Sequence, residues 1–285
     1  MGARILGVAL ILGVAVLLLP GGVALATDPW QRGSIWVYDY PTAGNDWSTL
    51  HARWYFNYGA DDHGFDESHY VAMQWTTGAI PEWDPDWYNY VLAYNEPDNC
   101  GGGGSCKSPY DAAFHWCNYL QDRAWEDEVF LVGPSTLRTE YCHKVGDDSC
   151  GGVIDLDWYD NFLAEIADLC PPGYPQEQQI HWYGCTPAHL YSWLDATYAK
   201  YGKPLWLTEF GIPGQEVDRI ILCGGNHLDP EEFMEAVIPN LDQHHVGRYA
   251  WFANRTYYYY PFDTGLVYST GQLTPAGEAY STILP

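Results

Sequence analysis

From residue 31 onward, short runs rich in apolar, aromatic and β-branched residues alternate with longer segments of amphipathic character. The short runs, at 34–40, 52–58, 70–76, 90–95, 129–133, 179–183, 205–209 and 248–253, predict eight strands. The longer segments predict helices, most clearly over 110–125, 155–169, 187–201 and 230–244. The last has the best start signal, with Asp229 at the cap, Pro230 at the first helical position and Glu231 and Glu232 in the first turn. Strands and helices in alternation imply a parallel sheet. Eight strands in this length predict an α/β fold, a single (β/α)8 TIM barrel over residues 27–285, whose functional residues gather at the C-terminal ends of the strands.

The first residues break this pattern. Arg4 precedes an apolar run over 5–19, followed by Pro20-Gly21-Gly22 and Ala24-Leu25-Ala26, which reads as a secretory signal peptide over 1–26 with cleavage after Ala26. The run is short for a membrane span and helix breakers follow it, although an uncleaved anchor is the alternative. The mature chain is therefore expected to be secreted, extracellular, free of the membrane and monomeric.

Composition narrows the partners. With 37 acidic and 12 basic residues, a formal net charge of −25, the chain lacks the clustered cations that nucleic acids and anionic membranes require. The acidity suits the solvated surface of an exported protein. Eight cysteines in such a chain are compatible with disulfides. Cys100 with Cys106, and Cys142 with Cys150, each bracket a short glycine-containing loop and are expected to pair, while Cys117, Cys170, Cys185 and Cys223 stay unassigned. No Cys-x-x-Cys or His-Glu-x-x-His spacing occurs, so neither a structural zinc nor a cofactor is expected.

Chemistry is concentrated at strand ends. In Leu92-Ala93-Tyr94-Asn95-Glu96-Pro97-Asp98 an apolar run stops on an acid, and Pro97 has no N–H to continue the ladder. Asn-Glu-Pro alone is a weak signal, since a helix cap or turn would carry the same residues. A second acid is placed in the same way: Pro204-Leu205-Trp206-Leu207-Thr208-Glu209 is again an apolar run ending on a carboxylate, broken by Gly211. Two carboxylates at two strand ends point to paired acid chemistry. Asn57 and Tyr58, Gln74 and Trp75, His181, Trp182 and Tyr183, and Trp251 stand at other strand ends. Aromatic rings stack on the C–H faces of pyranoses while amides, imidazoles and phenols hydrogen-bond the hydroxyls, so this mixture suits a sugar. Any one ring could simply fill the core, but 14 Trp and 24 Tyr are too many to bury without some lining a wet surface. Residues 257–260, a tyrosine run, are the best candidate for an exposed platform.

Two motifs carry less than they promise. Residues 101–108 almost spell a phosphate-binding loop, but Cys106 stands where the second glycine is required, and a disulfide-closed loop explains them better. Asn254-Arg255-Thr256 is a glycosylation sequon at a strand end beside the expected cleft, where a glycan would obstruct substrate.

Gln31-Arg32-Gly33, Trp54-Tyr55-Phe56-Asn57-Tyr58-Gly59, residues 92–98, His181-Trp182-Tyr183-Gly184, residues 205–210 and Tyr249-Ala250-Trp251-Phe252 together resemble glycoside hydrolase family 128, of the retaining (β/α)8-barrel clan. The resemblance covers essentially the whole mature chain. It implies a β-1,3-glucanase using two glutamates, with Glu96 as general acid/base and Glu209 as nucleophile. It further implies that Asn95 binds the 2-hydroxyl at the cleaved subsite, that Tyr183 hydrogen-bonds the nucleophile, and that His181 and Trp251 shape that subsite, with Asn57 and Trp75 as further substrate contacts. Tyr58, where a Trp is commoner, and the Cys- and Gly-rich insert after Asp98 depart from the pattern and leave endo versus exo action open. A non-catalytic glucan-binding barrel, or a related barrel hydrolase acting on mannan or cellulose, are the other readings.

Overall fold

The structure, a computed structural model, describes residues 32–35, 45–60, 69–80, 83, 90–100, 103–139, 156–213, 220, 223, 228–255 and 264–284. The expected leader, the Cys142–Cys150 pair and the tyrosine run at 257–260 lie outside them.

Every predicted strand has a counterpart. β1 (Gly33–Ile35) pairs in parallel with β2 (Trp54–Phe56). β3 (Ala72–Gln74), β4 (Tyr90–Ala93), β5 (Phe130–Thr139), β6 (Glu177–Tyr183), β7 (Leu205–Gly211) and β8 (Val246–Trp251) form a six-stranded parallel sheet in that order. Isolated parallel bridges, Tyr55 with Tyr70 and Arg32 with Tyr249, link the pair to the two edges of the larger sheet. β5 runs past Gly133, where the sequence suggested a stop. Pro134 is accommodated at a register shift between Gly133 and Thr136, the kind of irregularity that tolerates a residue without an N–H.

The helices follow the sequence closely, with one break. α1 (Asp46–Thr49) is a single turn. α2 (Pro109–His115), a π-helical turn over Trp116–Leu120 and α3 (Gln121–Glu126) make up the helix expected at 110–125. α4 (Leu156–Leu169) and α5 (Pro187–Tyr201) lie where predicted. α6 (Pro230–Val237) opens on a capping box, in which the Asp229 side chain accepts from the Glu232 N–H and the Glu232 side chain accepts from the Asp229 N–H. It stops short of 244 because Pro239 cannot supply a helical N–H, and two 3-10 turns complete the connection. α7 (Pro275–Thr282) is capped by Thr274. Among the described residues no helix is long and apolar enough to cross a membrane.

The strands separate two kinds of core. Ile35, Trp54, Phe56, Met73, Leu92, Val132, Trp206 and Ala250, from β1–β5, β7 and β8, pack together on the inner face. On the outer face Ile180, Trp182, Leu207, Phe210, Tyr249 and Trp251 meet Leu190, Leu194, Phe233 and Val237 of α5 and α6. Val91, Ala93 and Tyr94 meet Trp116, Tyr159 and Phe162 in the same way. Three disulfides are described. Cys100–Cys106 pairs as expected, and Cys117–Cys170 and Cys185–Cys223 join residues the sequence left unassigned.

Candidate active site

A strand's side chains alternate between faces, so Glu209, two residues after Leu207, belongs by parity to the helix side. It is redirected by an extra residue in β7. Ile180 of β6 pairs with Leu207, but its successor His181 pairs with Glu209. The other neighbour shows the same step, Tyr249 pairing with Leu207 and Trp251 with Phe210. A bulge of this kind re-aims a side chain without breaking the sheet. Thr208 therefore bonds inward to Gln179, Phe210 returns to the outer core, and Glu209 faces His181.

Glu96 reaches the same place by another device. Tyr94 and Glu96 both have positive φ, 53° and 40°, a conformation that costs energy for residues with a side chain. The twist leaves Tyr94 in the outer core and turns Glu96 to the sheet end, where its N–H donates to the Ser135 hydroxyl at 3.1 Å. One oxygen of Glu96, one of Glu209 and a ring nitrogen of His181 lie within 4.8 Å of one another. All three residues are buried, Glu96 7% and Glu209 4% exposed.

Each carboxylate oxygen already has a hydrogen-bond partner. Oε1 of Glu96 faces His181 Nδ1 at 2.9 Å and Oε2 accepts from the Asn99 amide at 2.8 Å. Oε1 of Glu209 accepts from the Tyr58 hydroxyl at 2.7 Å and Oε2 from the Tyr183 hydroxyl at 2.5 Å. Glu, His and Glu are ligand types for a cation, but here both acids are held as acceptors by neutral donors and by imidazole.

Burial raises the pKa of Glu209 above the ordinary 4.5, with the Glu96 charge adding to it, while His181 and the two tyrosine hydroxyls pull it back. His181 shows the reverse balance. Burial would lower its pKa, but the charge of Glu209, the hydrogen bond and charge of Glu96 and the charge of Asp98 outweigh it, and the pKa is raised. Burial, joined by the Glu96 charge, pushes Asp98 up to about 7, although Leu137 N–H donates to its carboxylate.

Around this cluster several buried polar atoms have no protein partner among the described residues: Asn95 Oδ1, Gln74 Oε1 and His181 Nε2. Asn95 is held through its other side-chain atom, Nδ2, which donates to the Gly103 carbonyl at 2.9 Å. Polar atoms buried without partners are costly unless a ligand completes them.

The other expected contacts divide. Asn57 Oδ1 accepts from the Tyr70 hydroxyl at 2.6 Å and from the Gly59 N–H at 3.1 Å, shaping the loop that carries Tyr58. Trp75 packs half-buried on the inner core at the end of β3. Trp251 does not face the carboxylates. It is 1% exposed, sits edge-on to Phe210 at 5.0 Å, and donates its indole N–H to the Thr264 carbonyl, because strand alternation puts its neighbour Ala250 on the inner face. Phe252, one residue on, meets the Tyr183 ring at 5.8 Å instead. Asn254 is 1% exposed and donates to Asp46, which also takes a two-oxygen ion pair from Arg255, so the sequon's amide is enclosed. Asn99, Ser135 and Phe252 were missed in the sequence. Only the turn signal after Pro97 could have suggested Asn99.

The residues so arranged match a known class. Residues 33–280 match the family model described as the glycosyl hydrolase catalytic core, and the chain belongs to that family. It is 27% identical over 258 residues to Alkali-sensitive linkage protein 1 of Schizosaccharomyces pombe, covering 88% of this chain but 44% of that one, so it spans less than half the length of this relative. Its fold is that of the family-128 β-1,3-glucanases. A subgroup I endo-β-1,3-glucanase of Amycolatopsis mediterranei, in complex with laminaritriose, is 23% identical with a TM-score of 0.63, covering 88% of this chain and 98% of that one. A subgroup V exo-β-1,3-glucanase of Cryptococcus neoformans is 20% identical with a TM-score of 0.65, over 88% and 98% of the two chains.

Proposed function

We propose that this chain is a secreted, retaining endo-β-1,3-glucanase whose eight strands close into a (β/α)8 barrel. Closure is supported by the sequential parallel order, the bridges at both sheet edges and an inner core shared by strands of both sheets. The observation that carries the mechanism is that one oxygen of Glu96 and one of Glu209 lie within 4.8 Å of each other, with His181 Nδ1 2.9 Å from Glu96 Oε1 and 3.4 Å from Glu209 Oε2. Retaining enzymes keep their carboxyl groups about 5 to 5.5 Å apart, whereas a water between sugar and base needs about 6.5 to 9.5 Å.

In this reading Glu209 attacks the anomeric carbon while the bond to the leaving oxygen breaks and Glu96 gives that oxygen its proton. A covalent glycosyl ester results. Glu96, now ionised, takes a proton from water as the water oxygen attacks the same carbon and frees Glu209. Tyr58 and Tyr183 hold the nucleophile in one orientation and stabilise it as an anion against its burial. Asn95 Oδ1 and His181 Nε2, buried without a partner among the described residues, would be completed by sugar hydroxyls. The β-1,3 linkage is read from the resemblance and from the substrates in the relatives' descriptions.

Purified protein incubated with laminarin, curdlan, pachyman, mannan and carboxymethylcellulose is assayed for reducing ends. Release from the β-1,3-glucans alone, with a ladder of oligosaccharides, is expected. Release from mannan or carboxymethylcellulose alone would assign another polysaccharide, glucose as the sole product would make the enzyme exo-acting, and binding without release would make it a glucan-binding barrel.

A further inference from the structure

The Glu96 carboxylate is gripped by a residue at the start of a loop that a disulfide closes. Asn99, three residues after Glu96, donates its amide to Glu96 Oε2 at 2.8 Å, and its N–H donates to the Glu96 carbonyl at 3.0 Å. The chain then turns back through Gly103 and Gly104. A Cβ on Gly104 would lie 2.4 Å from the Asn99 carbonyl and 2.6 Å from the Glu96 carbonyl, so the returning backbone is pressed directly against both residues. Ser105 N–H donates to Asn95 O at 2.9 Å and Lys107 N–H to Pro97 O at 2.8 Å, which fixes the return strand beside the outgoing one. The Cys100–Cys106 bridge, starting on the residue after Asn99, closes this loop, and both cysteines are exposed.

Resting on the reading of Glu96 as acid/base, we propose that Asn99 is its positioning residue and that the Cys100–Cys106 bridge holds Asn99 in place. The chemistry is directional. A side-chain N–H₂ can only donate, so Asn99 favours the ionised form of Glu96 and steadies the carboxylate while its other oxygen, against His181, exchanges protons. Removing the donor destabilises the ionised form relative to the protonated one. Because the protonated acid/base sets the basic limb of kcat/KM in a retaining enzyme, that limb moves to higher pH.

The test compares Asn99→Ala, Asn99→Asp and Cys100→Ser/Cys106→Ser with wild type and Glu96→Ala, on laminarin and on an aryl β-laminaribioside with a dinitrophenyl leaving group. Asn99→Ala is expected to lose about tenfold on laminarin, little on the aryl substrate, and to shift the basic limb upward by about one pH unit. Asn99→Asp keeps the side-chain shape but places a like charge beside Glu96, so its shift is in the same direction. The cysteine pair, or wild type treated with dithiothreitol, shifts the limb in the same direction by less. An unmoved basic limb in the Asn99 variants, or equal losses on both substrates at matched folded fraction, would overturn the role of Asn99. An unmoved limb in the cysteine variant would overturn that of the bridge. Failure of Glu96→Ala to discriminate between leaving groups would instead refute the parent assignment.

Discussion

The Tyr183 hydroxyl donates to Oε2 of Glu209 at 2.5 Å, and the Tyr58 hydroxyl meets the other oxygen at 2.7 Å. A buried acid is thereby given two donors that favour its charged form. Tyr183→Phe is expected to raise the pKa of Glu209 further, moving the acidic limb of kcat/KM to higher pH, and to cost about tenfold to a hundredfold in kcat. Tyr58→Phe should do the same more weakly. A pH–rate profile of each variant decides, and an acidic limb unmoved in Tyr183→Phe would separate the hydroxyl from the nucleophile.

Asp98 gives a pH dependence of stability whose sign is fixed by its raised pKa. The folded state holds its proton up to about pH 7, the unfolded chain only to about the ordinary 3.8. Its contribution is complete below the unfolded value and is lost as pH rises through the folded one. Asp98→Asn, which can still accept from Leu137 N–H, should therefore gain stability relative to wild type between about pH 4 and 7, on the order of 1 to 3 kcal/mol. Urea melts at pH 4.5 and 8 measure the difference. An identical gap at both pH values would show that Asp98 titrates normally.

Trp251 and Trp125 should fail in opposite ways. Trp251 is enclosed between Phe210 and Phe233, so Trp251→Ala is expected to cost about 3 to 5 kcal/mol of stability. Trp125 is 86% exposed, and its loss should stay within about 0.5 kcal/mol. With activity normalised to the folded fraction, kcat/KM of Trp251→Ala should remain near wild type. A large loss in the folded enzyme would return this indole to the substrate.

The two glutamates should be distinguishable by rescue. Glu96→Ala retains the first displacement on a substrate whose leaving group needs no proton, and azide then yields the β-glycosyl azide. Glu209→Ala leaves space on the α face, where azide yields the α-glycosyl azide. NMR of the anomeric proton reads both products, and it should show the β-anomer released first by wild type. Reversed azide stereochemistry would exchange the two assignments.

Much of this was legible in the chain because periodicity survives folding. Alternating runs located all eight strands, Asp229 and Pro230 marked a helix start to the residue, and apolar runs ending at Glu96 and Glu209 placed both acids at strand ends. Trp251 was misread because its strand-end position says nothing of which face it occupies, and the neighbouring Ala250 is the residue that turns inward. The pairings of Cys117 with Cys170 and Cys185 with Cys223 depend on helices and loops meeting across gaps of 53 and 38 residues, which no local pattern records. Asn99 reaches Glu96 across a turn in which the acid itself has positive φ, which no local pattern announces.

The extra residue in β7 makes the nucleophile's direction a matter of counting. His181 and Trp251 each sit beside a strand that has advanced one place too far for simple alternation, and that surplus is what exposes Glu209 to its partner acid. Inserting one residue between Thr208 and Glu209 would leave every acid, phenol and imidazole of the cluster in the chain, and the strand could still pair with both neighbours. It would nevertheless deliver Glu209 among Phe233 and Leu190, a carboxylate in oil, and hand the pocket an apolar ring. A silent frame of pleats, rather than any one functional group, is thus the inherited trait on which the chemistry stands.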